Sequence, residues 1–344
     1  MDRDLYTNIF GIVLRAFAKT EVNMQFLYFL EKIRNPVFDA FFSAITYFGD
    51  ELVFLVLAIF VFWCVDKRRG YYILTVGLVG TVLNQALKLI FRIDRPWVRD
   101  ENFKPIESAI EAASGYSFPS GHTQNVTGTF GSLAASSRGR GVKIFSVIMI
   151  VLVAFSRMYL GVHTPLDVVV SLVLGAVLVA AFYPIFKNEK NFGRYMPFVV
   201  IGCAVLSLGF FIFVTVMPKE GLDPHNLESG MKNAGTLLGC TAGLAAVYFF
   251  DKKFTNFRTD APWYFQIAKL TIGLLVVLGI KSGLSAPLVA LFGNEYVARA
   301  VRYFLIVIFA GIVWPLSFNY FATHRIKKLD EFTEKLSVKL KRGK

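Results

Sequence analysis

KIFSVIMIVLVAFSRMYLGVHTPLDVVVSLVLGAVLVAAFYPIF, residues 143–186, decides the fold of this 344-residue chain. Two apolar runs, 143–160 and 165–186, are joined by a short polar stretch, SRMYLGVHTPLD at 156–167. A helix rising about 1.5 Å per residue crosses a hydrocarbon layer of about 30 Å with roughly 20 apolar residues. Both runs meet that length. Working outward, the pattern recurs near 46–65, 71–91, 121–137, 195–217, 231–250, 264–284 and 300–321, giving nine candidate spans. A hydrophobic share of 55%, 35 phenylalanines and only 18% charged residues fit the same class. The expected fold is all-α: a polytopic integral membrane helix bundle with an N-terminal interfacial helix.

The ends and the charges set the organisation. Residues 5–33 are apolar but broken by Arg15, Lys19 and Glu21, which suits a helix lying at the membrane surface. Asp2 and Asp4 flank Arg3, which is not the basic opening of a secretory signal. We expect an interfacial segment at 1–36, a helical core at 37–187, an accessory four-helix membrane region at 188–324 and a basic tail at 325–344. Cys64, Cys203 and Cys240 sit inside apolar runs and read as small buried hydrophobes. The net charge of +13 collects in loops around Lys67, Arg138, Lys187 and Lys252 and in the tail. With nine spans these all fall on one side, which the positive-inside rule makes cytoplasmic. The segment 218–230 on the other side is acidic. The basic tail is therefore expected against anionic headgroups at the plasma (inner) membrane, and nucleic acid is not an expected partner.

Three polar clusters interrupt the apolar pattern, each at the end of a span: KLIFRIDRP at 88–96, PSGH at 119–122, and the stretch at 156–167. All three are expected on the non-cytoplasmic face. Charges beside a membrane are costly and usually functional. In the first, Lys88 and Arg95 lie two helical turns apart and so on one face, ahead of Pro96. A lysine supplies a point charge and an arginine a planar fork for phosphate oxygens, although both residue types also flank spans as ordinary anchors. Arg92 and Arg99 read as such anchors. In the second, Ser120 caps a helix whose free amides and dipole suit an anion, Gly121 permits close approach, and His122 stands one step in. In the third, Thr164 and Pro165 open a helix, with His163 just before it and Asp167 four residues later. A carboxylate on one imidazole nitrogen frees the other to attack, while the bland alternative is a capping carboxylate. His225 and His324 carry no such context.

These clusters, in this order, resemble the tripartite signature of the type 2 phosphatidic acid phosphatase superfamily, K-x6-R-P, P-S-G-H and S-R-x5-H-x3-D, with every fixed position matched. That family resembles glucose-6-phosphatase and the vanadium haloperoxidases, and the resemblance covers about residues 37–187. It implies that His163 is the nucleophile of a phosphohistidine intermediate, that Asp167 orients it and that His122 protonates the leaving oxygen. Lys88, Arg95, Ser120, Gly121 and Arg157 would hold the phosphate. Phosphoryl transfer needs mainly positioning and charge neutralisation, which three cations and helix-start amides supply. No metal site and no cofactor are expected.

The expected partner is a lipid of the bilayer, of undecaprenyl pyrophosphate, phosphatidic acid or phosphatidylglycerol phosphate type, with the outward-facing basic site favouring a polyprenyl pyrophosphate. Phosphotransfer to an alcohol, hydrolysis of a sugar phosphate at the same site, and lipid transport or scrambling without chemistry are the alternatives. The loop 97–118, with a helical stretch around 105–113, is long enough to cover the site. In the second half, Gly235, Gly239 and Gly243 form a close-packing face. Lys232, Lys281, Arg299 and Arg302 read as anchors on the outer side.

Overall fold

In lipid, a backbone without water must satisfy its own polar groups, and an apolar run does so as a helix. A computed structural model describes residues 21–110 and 113–333, and every regular element among them is helical. The expectations for residues 1–20 of the interfacial segment, and for 334–344 of the tail, lie outside the described residues. The helices are α1 (Glu21–Lys32), α2 (Pro36–Thr46), α3 (Glu51–Phe60), α4 (Lys67–Phe91), and the short α5 (Pro96–Arg99) and α6 (Glu107–Ile110). Then follow α7 (Gly121–Ser136), α8 (Arg140–Tyr159), α9 (Pro165–Phe186), α10 (Glu189–Val216) and α11 (Pro224–Phe250). Last come α12 (Trp263–Gly283), α13 (Ser285–Phe292), α14 (Glu295–Ile308) and α15 (Phe318–Thr323).

Among the described residues, seven helical stretches are long and apolar enough to cross a membrane. An eighth is a broken pair, Pro36–Gly49 and Glu51–Val65, bent by 53°. The remaining expected span, α7, differs in kind. It has 16 residues, about 24 Å at ~1.5 Å per residue, and it buries Thr123, Gln124, Asn125, Thr127, Thr129 and Ser132. It is an interior helix, surrounded by α4, α8 and α9. By contrast α9 presents Val169, Val173 and Val177 as an exposed row at four-residue spacing, the face a lipid-contacting helix shows.

The centre of the bundle is α4, which packs on α7, α9, α10 and α11. Val76, Met196, Leu237 and Phe318 belong to one hydrophobic cluster, so the two expected regions share a core. Trp63 Nε1 donates to the Ala310 carbonyl at 2.8 Å and Lys67 pairs with Asp251 at 2.9 Å, tying them further. The glycine face of α11 behaves as its spacing predicts. A Cβ on Gly235 would stand 2.6 Å from the Tyr296 carbonyl oxygen of α14, and one on Gly243 2.8 Å from Val307 Cβ. Cys203 is buried, whereas Cys64 and Cys240 are half-buried, and all three are free thiols.

One expectation is corrected. Lys88 and Arg95 do not share a helical face, because α4 stops at Phe91 and Arg92 turns left-handed, with φ of 51°. Arg95 follows in extended backbone and leads into α5. The chain is redirected four residues before the proline expected to end the helix.

Candidate active site

The ends of α4, α7, α8 and α9 and the loop before α7 bring all three clusters together. His163 is 1% exposed and lies between a cation and a carboxylate. Arg95 Nη1 is 2.9 Å from its Nε2, and Asp167 Oδ2 is 3.5 Å from its Nδ1. Burial first, then the charges of Arg95, Arg157 and Lys88, hold the His163 imidazole well below its ordinary pKa. Such a ring is neutral at neutral pH, so its Nε2 can accept from Arg95.

Asp167 does two jobs with one carboxylate. It forms a capping box with Thr164, its Oδ2 accepting from the Thr164 amide at 2.8 Å, so the bland reading of this aspartate is also true. The same oxygen faces His163 and accepts from Ser117 Oγ at 2.6 Å. Ser117 is wholly buried and its Oγ is also 3.5 Å from His163 Nδ1.

The three cations are buried but held differently. Arg95 Nε donates to the Gly115 carbonyl at 3.0 Å, Nη2 to Ser114 at 2.8 Å and Nη1 to Val162 at 3.0 Å. Lys88 Nζ donates to the Tyr116 carbonyl. These contacts lock residues 114–116 of the loop onto the site, as a covering loop requires. Arg157 has one bond, Nη1 to Thr46 Oγ1 at 2.6 Å, while its Nε and Nη2 are buried without a partner among the described residues. An unpaired guanidinium edge away from water is a place for anion oxygens.

Ser120 is the N-cap of α7, accepting from the Thr123 amide at 3.4 Å. Its own amide donates to the Asp167 carbonyl at 3.2 Å, joining the second cluster to the third. Asn84 Nδ2 donates to the Pro119 carbonyl at 3.4 Å, joining the second to α4. A Cβ on Gly121 would meet only Asn84 Oδ1, at 3.8 Å, so the helix start stays open to a ligand.

His122 Nε2 lies 2.7 Å from Asp50 Oδ1. Asp50, Thr46 and Ser117 escape the sequence reading. Gly49-Asp50 before an apolar run looks like an ordinary helix start, and Ser117 like a residue of a polar loop. Their only sequence signal is nearness, in Ser117's case, to the PSGH cluster.

Beside Arg95 opens a cleft of about 330 Å³, lined among others by Trp97, Tyr116, Asp223 and His225. His225, which has no role by sequence context, thus stands next to the site. His324 is exposed, its Nδ1 3.0 Å from the Tyr320 carbonyl oxygen. In the second half, Lys232 pairs with Glu228 at 2.5 Å and Arg299 Nε donates to Thr236 Oγ1 at 2.8 Å.

Comparison with known proteins gives the family of the chain. Residues 69–191 match the PAP2 superfamily, and residues 231–325 match the PAP2 superfamily phosphatase, transmembrane extension. Over 151 residues the chain is 32% identical to undecaprenyl-diphosphatase BcrC of Bacillus subtilis (strain 168), covering 43% of this chain and 75% of that one. This chain belongs to the PAP2 superfamily. Over 225 residues it is 28% identical to sphingosine-1-phosphate phosphatase 1 of Rattus norvegicus, covering 63% of this chain. There the match spans about half, 49%, of the relative's length. The crystal structure of the first transmembrane PAP2 type phosphatidylglycerolphosphate phosphatase from Bacillus subtilis aligns with a TM-score of 0.43 at 26% identity, over 55% of this chain and 99% of that one.

Proposed function

We propose that this protein hydrolyses the terminal phosphate of a long-chain membrane lipid, as monoester or diphosphate, through a phosphohistidine on His163. The observation that carries the reading is the buried, neutral His163 held between Arg95 and Asp167. Its Nε2 attacks phosphorus, and the bond from phosphorus to the leaving oxygen breaks. That oxygen keeps the electron pair and takes a proton from His122. Water then attacks the phosphohistidine, His122 takes the water's proton, and the N–P bond breaks to return the pair to Nε2 and release inorganic phosphate. Lys88, Arg95, Arg157 and the first-turn amides of α7 neutralise the equatorial oxygens. Asp167 fixes the tautomer of His163 and balances the cation that forms on it.

The substrate class rests on the relatives, which are named for a sphingosine phosphate and an undecaprenyl diphosphate, molecules that share a phosphate at the end of a long apolar chain. We read the basic loops as cytoplasmic, with α7 counted as a short interior crossing, which supports a site on the non-cytoplasmic face and a cytoplasmic C-terminal tail. The test is phosphate release by detergent-purified protein from a panel of lipid and sugar phosphates, with chelator present. Lipid phosphates are the expected substrates. His163→Ala is expected to lose at least about 10³-fold in kcat, the scale on which nucleophilic triads fail. Full activity in that variant, or strict dependence on added metal, would overturn the reading.

A further inference from the structure

The turn that touches His122 lies outside the three clusters. It is formed by residues 46–50, where the broken pair around α2 and α3 bends by 53°. Asp50 occupies the N-cap position of α3, where an aspartate ordinarily accepts from first-turn amides. Here its side chain makes no capping bond. It reaches His122 instead as an ion-pair contact, with Oδ1 2.7 Å from Nε2, a nitrogen that has no well-directed hydrogen bond among the described residues.

The approach is built into the backbone. A Cβ on Gly49 would stand 2.8 Å from His122 Cβ and 3.0 Å from the His122 carbonyl oxygen, so a larger residue would push the turn away. Asn125 Nδ2, on the same helix as His122, donates to the Gly49 carbonyl at 3.4 Å. Thr46 closes the other end of the turn on Arg157. Burial first, then the charges of Arg157 and Arg95, push the His122 imidazole down to about 4, and Asp50 is the group that pulls it the other way. Asp167 is committed to His163, Ser117 and Thr164.

We propose that Asp50 is a positioning residue for the general acid, a role that rests on the phosphohistidine reading above. Its carboxylate faces Nε2 of His122 and stabilises the protonated ring against burial and the two arginines as the phosphate group binds. As the P–O bond breaks, the ring's proton passes to the lipid oxygen. The water that splits the N–P bond restores it.

A positioned acid matters in proportion to how badly the leaving group needs a proton, which separates this role from a structural one. The test compares wild type, Asp50→Asn and His163→Ala in the full chain, on a long-chain alkyl phosphate and on p-nitrophenyl phosphate, whose leaving group departs without protonation. General acid catalysis contributes about 10²–10⁴-fold. Losing its orientation is expected to lower Asp50→Asn kcat on the alkyl phosphate about 10–100-fold and on the aryl phosphate less than about threefold. KM and inhibition by inorganic phosphate are expected to stay unchanged, which shows that the phosphate cradle is intact. Equal losses on both substrates, no loss on either, or weakened phosphate inhibition would each overturn the assignment. Activity retained by His163→Ala on both substrates would instead remove the phosphohistidine reading, and the role of Asp50 with it.

Discussion

Thr46 and Arg157, 111 positions apart in the chain, are joined by a 2.6 Å hydrogen bond that leaves two guanidinium nitrogens buried and unpartnered among the described residues. Thr46 thus anchors one corner of the fork and aims the rest. A fully paired arginine, such as Arg95 with its three backbone carbonyls, must give up bonds to take a phosphate. Arg157 need not.

Arg157→Lys is therefore expected to behave as a severe change. An ammonium group offers no fork, and it cannot hold Thr46 and two phosphate oxygens at once. We expect kcat/KM to fall about 10²–10³-fold, the scale of losing a preorganised oxyanion donor. Phosphate release by protein with normal gel-filtration behaviour is the measurement. Activity within threefold of wild type would mean that the free edge does not meet the substrate.

Ser117→Ala removes the 2.6 Å hydrogen bond to Asp167 without changing any charge. A hydrogen bond to a buried charged group is worth about 1.5–3 kcal/mol. Expressed in the reaction barrier, this is a loss of about 10–100-fold in kcat. KM is expected to hold steady, because Ser117 does not face the phosphate in this reading. A steady-state titration with the preferred lipid phosphate separates the two parameters, and a rise in KM alone would contradict the assignment.

The acid side of the pH profile follows from His163. Burial and the three cations lower its pKa, so the nucleophile stays neutral below the ordinary histidine value of about 6.5 and is protonated only at more acidic pH. The profile of kcat/KM reports the free enzyme. With the substrate's own ionisation measured separately and divided out, no acid limb is expected at about 6.5. An acid limb centred there would show that His163 titrates as an ordinary histidine.

Gly239 tests the packing between α11 and α14. A Cβ there would collide with the Ala300 carbonyl oxygen, whereas one on Gly209 of α10 would meet nothing within 4 Å. Gly239→Leu is expected to destabilise the protein by at least about 1–3 kcal/mol, the usual cost of overpacking. Gly209→Leu is expected to be neutral. Thermal unfolding in detergent, followed by tryptophan fluorescence, compares them. Equal melting temperatures would show that the helices separate at little cost.

Much of this molecule is readable from its residues. The apolar runs, the caps at Ser120 and Thr164, and the glycine row of α11 depend on interactions within a few turns, and short stretches of sequence encode them. The reading fails where a local rule is overridden. Periodicity assigns Lys88 and Arg95 to one helical face, but Arg92 turns left-handed and ends α4 first. The short apolar run of α7 reads as a span like the others, and its buried threonines, Gln124 and Asn125 make it the interior one. Asp50 looks like a cap and is not one.

By itself, then, the sequence determined the class of fold and the chemical groups of the site, because helix formation and the spacing within each cluster are local. Tertiary structure decided which of those groups are already satisfied and which are free. It set Ser117 on Asp167, Thr46 on Arg157 and Asp50 on His122, across separations of 50, 111 and 72 residues. Such contacts arise from the bend between α2 and α3 and from the packing of helices around α7, and no window of a few helical turns contains them.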